Sequence, residues 1–99
     1  MAGVRLVVQF TADTAEAADE RIRTMVDRCR KTEAEEPGCV QYEVFRSALR
    51  PEQFALLEHW ASQEALDTHR KVLAQNPRPP AASSISTTLE IYEHKPGSL

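Results

Sequence analysis

The sequence predicts an α+β fold, with two amphipathic helices on one face of a four-stranded antiparallel sheet. Three observations point to it. Apolar and polar residues alternate with period two in four short stretches, and apolar residues recur every three to four positions in two longer ones. The stretches follow one another as strand, helix, strand, strand, helix, strand. Turn residues or helix-capping residues stand at the breaks between them.

The first strand runs from Val4 to Phe10, with Val4, Leu6, Val8 and Phe10 on one face and Arg5, Val7 and Gln9 on the other. Asp13 stands three residues before Glu16, a capping-box spacing that predicts a helix start there. The helix should run from Thr14 to Ala34, burying Ala15, Ala18, Ile22, Met25 and Cys29 as one stripe. Its acids gather early (Glu16, Asp19, Glu20) and its bases late (Arg28, Arg30, Lys31), which suits the helix dipole. Cys29, on the stripe, reads as a small buried hydrophobe. Pro37-Gly38 turns the chain into a second strand, Cys39 to Arg46. There Val40, Tyr42 and Val44 alternate with Gln41, Glu43 and Phe45. After the loop from Ser47 to Glu52, the third strand places Phe54, Leu56, Glu58 and Trp60 on one face and Ala55, Leu57 and His59 on the other.

Ser62 caps the second helix, whose stripe is Ala65, Leu66, His69, Val72 and Leu73. Asn76-Pro77 ends it. Residues 76–84 carry three prolines and no apolar period, which predicts a stiff connection or a flap that could act as a lid. In the last strand Ile85, Thr87, Leu89 and Ile91 alternate with Ser86, Thr88, Glu90 and Tyr92. Residues 96–99 should fray, with His94 solvated near them.

This order is the split βαβ, ferredoxin-like βαββαβ pattern, in one domain spanning 1–99. Right-handed crossovers put the first and third strands at the centre of the sheet. Its far face would carry Val7, Phe45, Ala55, Leu57 and Tyr92, an apolar set that predicts a homodimer packed sheet to sheet. His59, on that face, reads as interface or surface.

Composition narrows the function. A formal net charge of -3 argues against a nucleic-acid partner. No apolar run approaches the roughly 18 residues of a membrane helix, and no leader pattern opens the chain. Two cysteines without CxxC spacing predict a reduced, cytoplasmic protein. No metal-ligand spacing, Gly-rich phosphate loop or serine elbow is present, so neither a metal nor a nucleotide cofactor is expected.

One arrangement could do chemistry. His69 lies on the apolar stripe of the second helix, and Glu58 alternates into the face that carries Phe54, Leu56 and Trp60. Both would enter the layer between helix and sheet, where a buried carboxylate needs a partner. A His base oriented by a carboxylate is one reading, and a polar tie between helix and sheet is the plainer one. The pocket beside the pair would be lined by Val8, Phe10, Tyr42, Trp60 and Leu66.

The stretch Glu36-Pro-Gly-Cys39, with Tyr42, Phe54, Leu57-Glu58-His59-Trp60, Ser62, Glu64-Ala65-Leu66 and His69, resembles the antibiotic biosynthesis monooxygenase family of dimeric α+β barrel proteins. The resemblance implies a cleft inside each subunit. It also implies oxidation of a small phenolic, quinol or polyketide-type aromatic by O2 without metal or flavin. A haem-degrading branch of the fold uses an Asn on the first strand with Trp and His on the second helix. Here the single Asn is Asn76 and the single Trp is Trp60, which argues against that activity. Two alternatives remain at this point: an isomerase or cyclase using the same His base, and a non-catalytic dimeric module that binds a hydrophobic small molecule.

Overall fold

Six elements form in the predicted order, in a computed structural model that describes residues 3–76 and 84–98. They are β1 (Val4–Ala12), α1 (Ala15–Glu35), β2 (Cys39–Arg46), β3 (Gln53–Trp60), α2 (Gln63–Gln75) and β4 (Ile85–Glu93). The sheet order is β2-β3-β1-β4, every pair antiparallel, with β1 and β3 central. This is the ferredoxin-like α+β fold. The proposed lid from Pro77 to Pro80 lies outside the described residues.

Register decides which side chains are buried. Val4 lies opposite Trp60, Leu6 opposite Glu58, Val8 opposite Leu56 and Phe10 opposite Phe54, so the central strands share one helix-side face. Leu6, Phe10, Phe54, Leu56 and Trp60 are buried there beneath Ala18, Met25 and Cys29 of α1 and Leu66 of α2. At one end Phe10 and Phe54 stack, with ring centroids 4.8 Å apart and planes 7° from parallel.

The cap of α1 differs from expectation. Thr14, not Asp13, is the N-cap, and its side chain accepts from the Ala17 N–H at 3.1 Å. Pairing of β1 with β4 extends to Ala12 opposite Ile85, which holds the chain extended one residue longer. Ser62 caps α2 as predicted, accepting from the Ala65 N–H at 3.1 Å. Between α1 and β2, Gly38 adopts φ +85°, and a Cβ there would stand 2.6 Å from Ala65 Cβ. The turn therefore needs glycine twice over, for its left-handed backbone and for its approach to α2.

Val40 is a correction. The register of β2 slips between Cys39 and Gln41, and the bulge leaves Val40 57% exposed while Cys39 packs at the core's edge. Past the bulge the Tyr42 N–H donates to Glu33 Oε2 at 3.0 Å, and Tyr42 and Val44 return to the helix side.

Leu89 and Ile91 are a second difference. They lie opposite Val8 and Leu6 and so face the helix side as predicted, yet they stay 52% and 50% exposed. The reason is lateral: α1 packs chiefly along β2 and α2 against β3, so β4 lies beyond both helices.

On the far face Val7, Ala55 and Leu57 are half-buried, flanked by the exposed rings of Phe45 and Tyr92. His94 is half-buried there rather than solvated. Its N–H bonds the Gly3 carbonyl, its ring stacks on His59 at 4.1 Å, and Arg5 Nε donates to its Nδ1 at 3.3 Å. Burial, then Arg5 and His94, push the His59 imidazole below its ordinary pKa.

Candidate functional site

The end of β3 and the middle of α2 bring several of the candidate side chains together. Glu58 and Trp60 stand two apart on one strand and so share a face, where the indole N–H donates to Glu58 Oε1 at 2.9 Å. Tyr42 lies opposite Glu58 across the β2–β3 ladder. His69 follows Leu66 by three positions on the buried stripe of α2, which sets its ring 4.5 Å from the Trp60 ring and 5.3 Å from that of Tyr42. Tyr42 meets Trp60 edge-on at 6.2 Å. Helix and strand thus build one cluster of Tyr42, Glu58, Trp60, Leu66 and His69, all 5% exposed or less.

The carboxylate bonded to His69 comes from an unexpected place. His69 Nδ1 stands 2.8 Å from Glu36 Oε1, whereas the bond to Glu58 comes from the indole. A carboxylate only accepts, so Nδ1 carries a proton in this bond. The Glu36 side chain is 18% exposed and that of His69 3%, so Glu36 is the open member of the pair. It lines a cleft of about 410 Å³ between the C-terminal parts of the two helices, together with Arg28, Lys31, Thr32, Glu35, Val72, Leu73 and Asn76. That volume lies within the ~300–1,000 Å³ of typical small-molecule sites.

In the sequence Glu36 reads only as the first residue of the turn stretch Glu36-Pro-Gly-Cys39, with no role at the site. One signal was available. Glu36 is the C-cap of α1, where the helix dipole disfavours an acid, so the position calls for another explanation.

Phe10 requires a correction. Its register partner is Phe54, six positions along β3 from Trp60, which separates it from the cluster by roughly 20 Å. Alternation showed its face but not its distance along the strand, and Phe10 belongs to the core stack. Val8 is half-buried two residues nearer, beside the exposed Leu89. Tyr42, Trp60 and Leu66 join His69 and Glu58 as anticipated, but as a closed packed wall.

The cysteines offer no nucleophile. Burial first, then Glu33, Glu36 and Glu58, push the Cys39 thiol up to about 12, and burial with Glu33 raises Cys29. Among the described residues no group of three or more His, Cys, Asp or Glu is placed to hold a metal ion. No described helix is long and apolar enough to cross a membrane.

Residues 4–73 match the family model described as antibiotic biosynthesis monooxygenase. No curated protein matches. Solved structures do. A protein of unknown function from Bacteroides thetaiotaomicron is 22% identical, with a TM-score of 0.74 over 94% of this chain and 98% of that one. The haem degrader MhuD of Mycobacterium tuberculosis, solved with two haems in its active site, is 19% identical, with a TM-score of 0.72 over 96% and 98%. SnoaB of Streptomyces nogalater, a cofactor-independent oxygenase, is 15% identical, with a TM-score of 0.65 over 98% and 97%. At these identities the structural likeness is one of fold.

Proposed function

The chain belongs to the antibiotic biosynthesis monooxygenase family, and on that footing we propose that it oxidises a small phenolic, quinol or anthrone-type aromatic with O2 in the cleft between α1 and α2. The observation that carries this reading is Glu36, which lines that cleft while its carboxylate is held by the buried His69 behind it. The His69 Nδ1–H holds Oε1, which fixes the carboxylate and leaves Oε2 as its second acceptor. Oε2 takes a proton from the substrate. His69 is the positioning residue in this scheme, and the Tyr42–Trp60 wall sets the angle of its ring. Glu58 acts one step further back, by holding the indole.

The electrons come from the substrate. For an anthrone-type carbon the deprotonated ring passes an electron to O2, and the resulting radical and superoxide combine in a C–O bond. The peroxide so formed takes back the proton held by Glu36, and the hydroperoxide then loses water to leave a carbonyl. One oxygen atom stays in the product and the other leaves as water, so CH2 plus O2 gives C=O plus H2O. The protein contributes position, the removal and return of one proton, and exclusion of water. An oxygen electrode run with a panel of quinols and anthrones tests the reading. We expect stoichiometric O2 uptake with at least one of them. Turnover that proceeds equally under nitrogen would replace oxygenation with isomerisation or cyclisation by the same carboxylate.

The apolar far face of the sheet supports a second part of the proposal, that two copies pack through it. Sedimentation velocity at micromolar concentration should give the mass of two chains. A single-chain mass there would remove this part and leave the cleft reading standing.

A further inference from the structure

We propose that Arg21 holds the carboxylate of a small organic acid in a second opening, between α1 and the start of β4. This opening has a volume of about 230 Å³ and is lined by Ala17, Glu20, Arg21, Thr24, Ser84 and Ile85. Among the described residues it shares none with the Glu36 cleft. Arg21 Nε is buried and has no hydrogen-bond partner. A buried N–H donor without an acceptor is costly, and native structures nearly always satisfy one. No carboxylate among the described residues forms an ion pair with Arg21. A permanently charged fork therefore lines an opening with one of its donors unanswered.

The lining indicates what answers it. A guanidinium pairs best with a planar carboxylate, which accepts from Nε–H and Nη–H together. Among the described lining residues Arg21 is the one cation and Glu20 is an acid, so a monoanion suits the site better than a phosphate dianion. Glu20 is exposed to solvent, which screens its repulsion. Thr24 spends its hydroxyl proton on the Arg21 carbonyl at 2.8 Å, while Ser84 adds a second hydroxyl to the lining. Ala17 and Ile85 supply apolar wall for a ring or short chain. The volume lies below the ~300 Å³ at which drug-sized sites begin, so a single ring is the scale of ligand expected.

The test reads binding alone and does not depend on turnover. Benzoate, benzamide and inorganic phosphate are titrated into the full chain while the arginine Nε–Hε signals are followed by NMR. Benzoate should move the Arg21 signal saturably and bind at least about tenfold tighter than either other probe. Arg21→Gln should lose at least about tenfold of the benzoate affinity with the amide spectrum otherwise retained. Arg21→Lys, which keeps the charge without the fork, should also bind more weakly than wild type and serves if the Gln variant does not fold. Benzoate that leaves the Arg21 signal unmoved overturns the proposal. So do benzamide or phosphate binding as tightly as benzoate, and variants that bind benzoate as the wild type does.

Discussion

Glu36→Gln should lower kcat for O2 uptake by about 10²–10⁴-fold, the range typical of losing a general base. The substitution preserves shape, and its amide oxygen can still accept from the His69 Nδ1–H that now bonds Oε1. It removes only the charge and the basicity, so KM and the unfolding midpoint should change little. His69→Ala differs in kind. It empties a site 4.5 Å from the Trp60 ring and strips Glu36 of its donor, so stability and turnover should fall together. Steady-state oxygen-electrode kinetics with circular-dichroism melts separate the two variants. A Glu36→Gln enzyme with the wild-type kcat would mean that the pair is only a tie between the turn and α2.

The second large effect is on stability. Trp60 is fully buried, and Trp60→Ala should cost about 3–5 kcal/mol. In a domain of this size each kcal/mol moves Tm by roughly 4–8 °C, so the melt should drop by more than about 12 °C. Trp60→Phe isolates the polar share. It keeps an aromatic body and removes the N–H that donates to Glu58, at a cost of about 1 kcal/mol for one hydrogen bond. Denaturant unfolding followed by circular dichroism measures both. A phenylalanine variant as stable as wild type would show that the Glu58–Trp60 bond contributes nothing net.

The order of elements and the face of most side chains were legible because periods of two and three to four residues are local properties of the chain. Ser62 was legible for the same reason, since a cap needs only its own first turn. Three features were not local. Thr14 and Asp13 were both fit to cap, and pairing of Ala12 with Ile85, 73 positions away in the chain, decided between them. The bulge at Val40 interrupts a pattern that reads as unbroken alternation, because a slip in pairing leaves no mark in polarity. Leu89 and Ile91 showed their face but not whether a helix lay above it.

The candidate site divides along the same line. Trp60, Leu66 and His69 converge because strand and helix periods both aim them inward. The partner of His69 was hidden because Glu36 sits in a turn, where no period assigns a face, and it meets the imidazole across 33 positions. Phe10 failed for the opposite reason: its face was right and its place along the sheet was not.

Where the substrate sits decides the account most directly. A quinol titrated under nitrogen into ¹⁵N-labelled protein binds without turning over. The account predicts saturable shifts of the His69 imidazole nitrogens and of the Val72 and Leu73 amides, beside the carboxylate of Glu36. Shifts confined to Gln41, Leu57 and Tyr92 on the far face of the sheet, with His69 unmoved, would contradict it.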